Sequence, residues 1–165
     1  VATAESCTGG LLAAAITAVP GASAVFGTGF VTYSNAAKSQ LLGVPAGLIT
    51  SVGAVSEAVA RRMAEGARAR AAVDVAVSIT GIAGPEGGSA QKPVGTVWFG
   101  MSSPAGVLAR HMVFKGDRDA VRQQSVVFAL NWLLETSRGI KNEQKHLGVG
   151  KSQARWPQDE PDHGV

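Results

Sequence analysis

The chain is poor in cysteine, in charge and in histidine, and each shortage removes a class of function. Cys7 is the only cysteine. It excludes an intrachain disulfide and any site built from several thiolates, and it points to a reducing, cytoplasmic compartment. Charged residues make up only 16% and the net charge is +3. That is too little to form the concentrated basic face a nucleic acid needs. No apolar run reaches the roughly 18–20 residues of a membrane span. The stretch "GLLAAAITAV" (10–19) is about half that length and lacks the charged leader of a signal peptide. There is no H-E-x-x-H, no cysteine cluster and no pair of carboxylates at ligand spacing, so no resident metal or cofactor is expected. No internal repeat is visible.

What is present suits one α/β domain. Of 165 residues, 45% are hydrophobic, enough for a sizeable core, and 21 are glycine, many of them clustered. "VATAES" reads as a short buried strand, and "LLAAAITAV", with no polar face, as a deeply buried helix ended by Pro20-Gly21. Residues 24–34 read as a strand. Residues 35–43 read as a short helix capped by Ser34 or Asn35 and stopped by Gly43. Short turns are expected from 44 to 56. Ser56 opens an amphipathic helix with Val59, Met63, Ala67 and Ala71 at helical spacing. The continuous apolar run 73–80 reads as a central strand. Residues 94–102 and 106–114 form a hairpin around "SPAG". Asp117 caps a last long helix, with Val121, Ser125, Phe128, Leu130 and Leu134 facing the core. This alternation predicts a three-layer α/β/α sandwich with a mixed β-sheet. Residues 1–138 form the domain, and 139–165 form a polar tail expected to be disordered or loosely attached, with Trp156 able to dock it. Val1 opens directly in a strand, so a preceding helix is expected to be missing.

Three stretches with chemical potential end predicted strands, and in such sheets ligands bind beyond the strands' carboxyl ends. The first is "AESCTGG" (4–10), a strand-to-helix turn. Ser6 or Cys7 can serve there as nucleophile, and backbone N–H groups can hold an oxyanion or a phosphate. Equally, Ser6 or Thr8 can simply cap the helix. A catalytic cysteine wants a histidine, and His111, His146 and His163 lie far off in sequence, so Cys7 reads as a packing residue. Ser6 needs another base. Lys38 in "TYSNAAK" (32–38) can be one if burial lowers its pKa, with Tyr33 to orient it or relay a proton. A lone lysine on a short helix is otherwise a surface residue. The third stretch, "TGIAGPEGG" (80–88), is neither a P-loop nor G-x-G-x-x-G. It can approach a small substrate through its backbone, or merely connect. Arg118 and Arg122, four apart in "KGDRDAVRQQ", share a helix face and can hold a phosphate, or be a solvated charged turn.

The blocks "TAESCTGG", "GFVTYSNAAK", "GAVSE", "SITGIAGPEGGS", "KPVGTVWFG" and "GDRDAVRQQ" occur in that order. Together they closely resemble the CinA C-terminal-domain family, the nicotinamide-nucleotide amidohydrolases, over roughly residues 2–135. The resemblance implies an α/β/α domain that deamidates nicotinamide mononucleotide to nicotinic acid mononucleotide and ammonia, in pyridine-nucleotide recycling. It implies no metal and a homodimer or higher homo-oligomer, while the weak net charge and the short apolar runs argue against a nucleic-acid or membrane partner. Carried over by motif, the catalytic residues are Ser6, Lys38 and an assisting Tyr33. The implied substrate contacts are Thr8, Gly9, Gly10, Asn35, Thr80, Gly81, Gly84, Arg118, Arg122 and Gln123, with oxyanion donors near Thr8–Gly10 or Gly81–Gly84. Ala36 stands where the family often has glutamate. The alternatives are a non-catalytic nucleotide-binding module linked to competence or DNA-damage responses, a hydrolase using Cys7, and a regulatory module acting through the tail.

Overall fold

The computed structural model describes the backbone of residues 1–146 and the side chains of residues 1–140. The elements are β1 (Ala2–Glu5), α1 (Leu11–Thr17), β2 (Thr28–Val31), α2 (Asn35–Leu42), α3 (Ala46–Val52), α4 (Glu57–Ala71), β3 (Ala76–Gly81), β4 (Thr96–Ser103), β5 (Gly106–Val113) and α5 (Arg118–His146). The five strands form one sheet in the order β2-β1-β3-β4-β5. β2, β1 and β3 run parallel, and β4 and β5 are antiparallel to their neighbours. The sheet is therefore mixed, as the strand and hairpin pattern predicts.

Strand alternation assigns the two faces. Val77 and Ile79 of β3, with Val97, Phe99 and Met101 of β4, join Leu12 of α1 and Val121, Val126, Ala129 and Trp132 of α5 in one core. Ala2 and Ala4 of β1 and Ala76 of β3 face the opposite way, onto Val59, Met63 and Ala67 of α4, with Leu42, Val44 and Ile49 completing that side. Two helix layers thus enclose the sheet, which is the three-layer α/β/α sandwich. The second face is built from small residues because α4 lies close to the strands. A Cβ at Gly100 would sit 2.3 Å from the Ala60 carbonyl oxygen. The Ser78 hydroxyl donates to that same oxygen at 2.6 Å and accepts from the Gly100 amide at 3.1 Å.

Local capping follows the expected residues. Ser34 accepts from the Ala37 amide, Ser56 from Val59 and Asp117 from Ala120. Gly43 closes α2 in the left-handed region. Four expectations are corrected. The strand read over 24–34 is only Thr28–Val31, preceded by a 3₁₀ turn at Ala22–Ala24, because β1 offers only four residues of ladder. The turns read over 44–56 contain helix α3, entered at Pro45 and ended by Gly53 at φ 81°. α1 is not deeply buried: only Leu12 is fully covered, and alanines occupy the side that faces out. On α5 the buried side is Val121, Ser125, Val126, Ala129, Trp132 and Leu133, while Leu134 is exposed. This helix also continues through Gly139 to His146, eight residues into the stretch read as a tail. Residues 147–165, including Trp156, lie outside the described part of the chain.

Candidate active site

The parallel direction of β1, β2 and β3 brings the segments that follow them to one edge of the sheet. After β1 the ladder continues for one residue, with the Ser6 amide donating to Ile79 O at 2.9 Å, and then the chain turns. The Gly9 amide returns to Ser6 O at 3.1 Å. Gly9 and Gly10 carry φ values of 61° and 103°, the left-handed conformations that favour glycine. Both are therefore explained by the turn itself. Glu5, fully buried, sits beneath it. Its carboxylate accepts from the Gly10 and Leu12 amides at 3.0 Å and from Ala13 at 2.9 Å. Three of the donors at the start of α1 are thus taken by the protein's own carboxylate. The Gly9 and Gly10 amides are then unavailable as oxyanion donors. Within the turn, the Cys7 and Thr8 amides have no acceptor among the described residues.

After β2 the chain enters α2, which turns Lys38 inward. Lys38 is 1% exposed and has no carboxylate partner among the described residues. Its Nζ lies 3.0 Å from Ser6 Oγ, 2.8 Å from Thr32 O and 3.4 Å from Tyr33 O. Burial lowers the Lys38 pKa from its ordinary value, and Cys7 nearby opposes this weakly. Nζ donates to Ser6 Oγ as well as to the two carbonyls; once the amine has lost a proton it still satisfies both carbonyls and has a lone pair to accept the Ser6 hydroxyl proton. Cys7 is 6% exposed within the apolar core, and burial pushes its thiol up to about 11 despite the Lys38 and Arg122 charges. It is a packing residue here, with little thiolate at neutral pH.

Ser6 and Lys38 open onto a cavity of about 200 Å³. Of the other residues expected at a substrate site, Tyr33, Asn35, Thr80, Gly81 and Arg118 line it. Cys7, Ala54, Val55 and Ala83 also line it, and sequence reasoning gave the last three no role. The Thr80 hydroxyl donates to Ala54 O at 2.9 Å and so ties the loop carrying Ala54 and Val55 to β3. Gly81 is required by β4: a Cβ there would lie 2.7 Å from the Val97 side chain and 2.9 Å from Thr96 O.

Several expected contacts fall elsewhere. Tyr33 is 61% exposed at the rim, and its hydroxyl accepts from Arg118 Nη2 at 3.0 Å. The Tyr33 atom beside the amine is its main-chain carbonyl, not its phenol. Arg118 Nη1 also donates to Gly84 O at 2.7 Å, so one guanidinium spans the loops after β2 and β3. Arg122 does not pair with Arg118 over a common ligand site. It lies outside the cavity lining, where Nη2 donates to Thr8 O at 3.2 Å and Nη1 meets Asp119 at 3.5 Å. Thr8 is fully buried behind the turn. Gln123 is exposed and makes no side-chain hydrogen bond among the described residues. The residue most clearly missed is Glu5. Its signal was a carboxylate placed just before a turn and a helix start.

Residues 1–137 match the CinA C-terminal domain. The chain belongs to the CinA C-terminal domain family. It is 58% identical over 135 residues to a nicotinamide-nucleotide amidohydrolase PncC of Enterobacter agglomerans, covering 81% of this chain and 82% of that protein. It is 55% identical over 133 residues to a CinA-like protein of Geobacter metallireducens, covering 81% of this chain but 32% of the relative. The chain thus spans about a third of the longer CinA-like relatives it matches, and about four fifths of those named as amidohydrolases. Among solved structures, a competence/damage-inducible protein of Agrobacterium tumefaciens superimposes with a TM-score of 0.79 at 48% identity, over 81% of this chain and 82% of that one. A CinA-superfamily protein of Escherichia coli gives 0.79 at 44% identity, over 82% and 78%. No helix among the described residues is long and apolar enough to cross a membrane.

Proposed function

We propose that this CinA-family domain hydrolyses the carboxamide of nicotinamide mononucleotide, releasing ammonia and nicotinic acid mononucleotide. The observation that carries the reading is the buried Lys38 amine 3.0 Å from Ser6 Oγ. The relatives named as nicotinamide-nucleotide amidohydrolases supply the substrate. In this mechanism Lys38 takes the hydroxyl proton as Ser6 Oγ bonds to the amide carbon. The carbonyl electron pair moves onto oxygen, which accepts from the Cys7 and Thr8 amides. The Lys38 ammonium returns its proton to the amide nitrogen, the C–N bond breaks and ammonia leaves. Water then attacks the Ser6 ester with Lys38 again as base, and the acid departs as Ser6 recovers its proton. The pyridine ring is placed against Ala54, Val55 and Ala83, and the phosphate is directed outward past Arg118, since about 200 Å³ is less than most whole-ligand pockets enclose.

The test is ammonia release from nicotinamide mononucleotide by the wild type and by Ser6→Ala, Lys38→Ala and Cys7→Ser. The wild type turns over, the first two variants lose at least about 1,000-fold in kcat, and Cys7→Ser stays within a fewfold. No ammonia from a wild type that binds the nucleotide would make the domain a binding module. Loss in Cys7→Ser alone would move the nucleophile to the thiol.

A further inference from the structure

We propose that Arg122 is a positioning residue for this hydrolysis, holding the Ser6–Gly9 turn from outside the cavity so that the Cys7 and Thr8 amides face the reacting carbonyl oxygen. The inference rests on the reading of Ser6 and Lys38 as the reacting pair. Four observations carry it. First, Arg122 is not among the cavity-lining residues, yet its Nη2 reaches Thr8 O at 3.2 Å across 114 residues of chain. Second, the peptide that bears this carbonyl is held from both ends. Arg122 binds the Thr8 oxygen, and the Gly9 amide of the same peptide donates to Ser6 O at 3.1 Å. A peptide fixed at both its oxygen and its nitrogen cannot rotate, and this restrains the two preceding amides that lack acceptors.

The third observation is an uncompensated cost. Arg122 Nε and Thr8 Oγ1 are both buried without a hydrogen-bond partner among the described residues, two of only four such side-chain atoms there. Unpaired buried polar atoms call for an explanation, and a stabilising role supplies none. The fourth is electrostatic. The Arg122 charge is felt at the turn: it acts to favour the ionised form of Cys7, as the weakest of the influences on a thiol that burial dominates. A negative charge developing on an oxygen beside Cys7 and Thr8 is favoured in the same sense. The guanidinium has room where it lies: a Cβ at Gly9 would be an ordinary 3.7 Å from Nη2. Arg118 and Arg122, one turn apart on α5, thus divide the work. One faces the ligand and the other supports the backbone that meets the oxyanion.

The experiment compares steady-state ammonia release from nicotinamide mononucleotide by the full chain as wild type, Ser6→Ala, Arg122→Met and Arg122→Lys, with thermal unfolding of each. The expected result is a kcat loss of about 10- to 100-fold in Arg122→Met, part of the full value of an oxyanion donor, with KM within about twofold. Arg122→Lys, which keeps the charge and a donor, regains most of that loss. A substrate contact would instead raise KM about tenfold or more, and that overturns the proposal. So does an Arg122→Met kcat within about twofold of wild type, and so does an equal loss in both Arg122 variants that tracks a shared fall in Tm. Should Arg122→Met fail to fold, Arg122→Lys decides alone. A kcat lowered about three- to tenfold at unchanged KM supports the role, and unchanged kcat or raised KM refutes it. A wild type that releases no ammonia overturns the underlying reading and this one with it. Wild-type turnover, lost in Ser6→Ala but kept in Arg122→Met, overturns this one only.

Discussion

A single methyl group added far from the cavity in sequence should disable the site. Gly66 lies in the middle of α4, where glycine costs about 1 kcal/mol relative to alanine. Propensity alone therefore says that Gly66→Ala stabilises the fold. The packing says the reverse. A Cβ at Gly66 would sit 1.9 Å from Leu42 O and 2.8 Å from its carbonyl carbon, whereas real Cβ contacts stay above 3.0 Å. The two helices must part by roughly 1.1 Å, the gap between 1.9 and 3.0 Å. α4 cannot retreat, because Val59, Ala60, Met63, Ala64 and Ala67 are buried on it and Ala60 O already crowds Gly100. α2 is eight residues long with only Lys38 and Leu42 buried, so it yields. Leu42 is one turn beyond Lys38, and the displacement carries the 3.0 Å amine–hydroxyl contact toward about 4 Å, outside hydrogen-bond reach. A misplacement of about 1 Å costs roughly 100-fold in rate. Overpacking of about 1–3 kcal/mol less the propensity gain of about 1 kcal/mol leaves a net loss of about 0–2 kcal/mol, a fall in Tm of up to roughly 8 °C. Ammonia release measured well below Tm, with a thermal melt, checks both. A Gly66→Ala protein with raised Tm, or with kcat within about twofold of wild type, refutes the reasoning.

Two further outcomes follow from buried charge. Lys38 is held by burial below its ordinary value of 10.5, so kcat should rise with pH on a limb whose midpoint lies below 10.5; a midpoint at or above that value counts against Lys38 as the base. Between that lowered pKa and 10.5 the unfolded chain keeps a proton that the folded chain has released, so wild-type stability rises with pH there. Lys38→Met should accordingly be more stable than wild type below this window, by about 1.4 kcal/mol for each pH unit the window spans, with the gap closing as pH nears 10.5 in urea titrations. Glu5→Gln replaces a carboxylate that accepts three amides with a group having a single acceptor oxygen, and should cost about 2–4 kcal/mol in denaturant unfolding. A loss below about 1 kcal/mol would mean that the carboxylate is not what closes the start of α1.

What could be read from the sequence was what local chemistry decides. Ser34, Ser56 and Asp117 cap their helices through bonds spanning three residues, so the signal and its cause lie in the same few positions. β1 and β3 were legible because central strands covered on both faces leave few charged residues in the sequence, whereas the half-exposed edge strand β2 was read too long; the edge where Ser6, Lys38 and Thr80 gather follows from the parallel direction of all three. Tertiary approach was not legible. Gly66 and Gly100 are glycine because a carbonyl from another element occupies the space, and nothing within a few residues of either announces it. α3 escaped notice because Gly47 and the β-branched Ile49 and Thr50 dilute a seven-residue helix. The exposure of α1 was hidden because alanine marks neither a wet nor a dry face. Spacing placed Arg118 and Arg122 on one helix face, but long side chains travel far from their Cα atoms. One reaches Gly84 and Tyr33 across the cavity, the other Thr8 behind it.

The division between those arginines bears on how the strand–helix junction works. Such a junction ordinarily offers a ligand the amides and positive dipole of the helix start. Here Glu5 takes three of those donors, and α1 has only seven residues to contribute a dipole. Its own negative charge would oppose an oxyanion if nothing balanced it. The balance comes from side chains. Lys38 becomes cationic at the moment it takes the Ser6 proton, and Arg122 is a permanent cation against the far side of the turn. On this argument the carboxylate makes the turn rigid, the permanent cation offsets the charge that rigidity introduced, and the titrating amine acts on the hydroxyl. Removing Glu5 and Arg122 together should therefore harm kcat less than the product of their separate effects. Two independent contributions to folding would instead multiply.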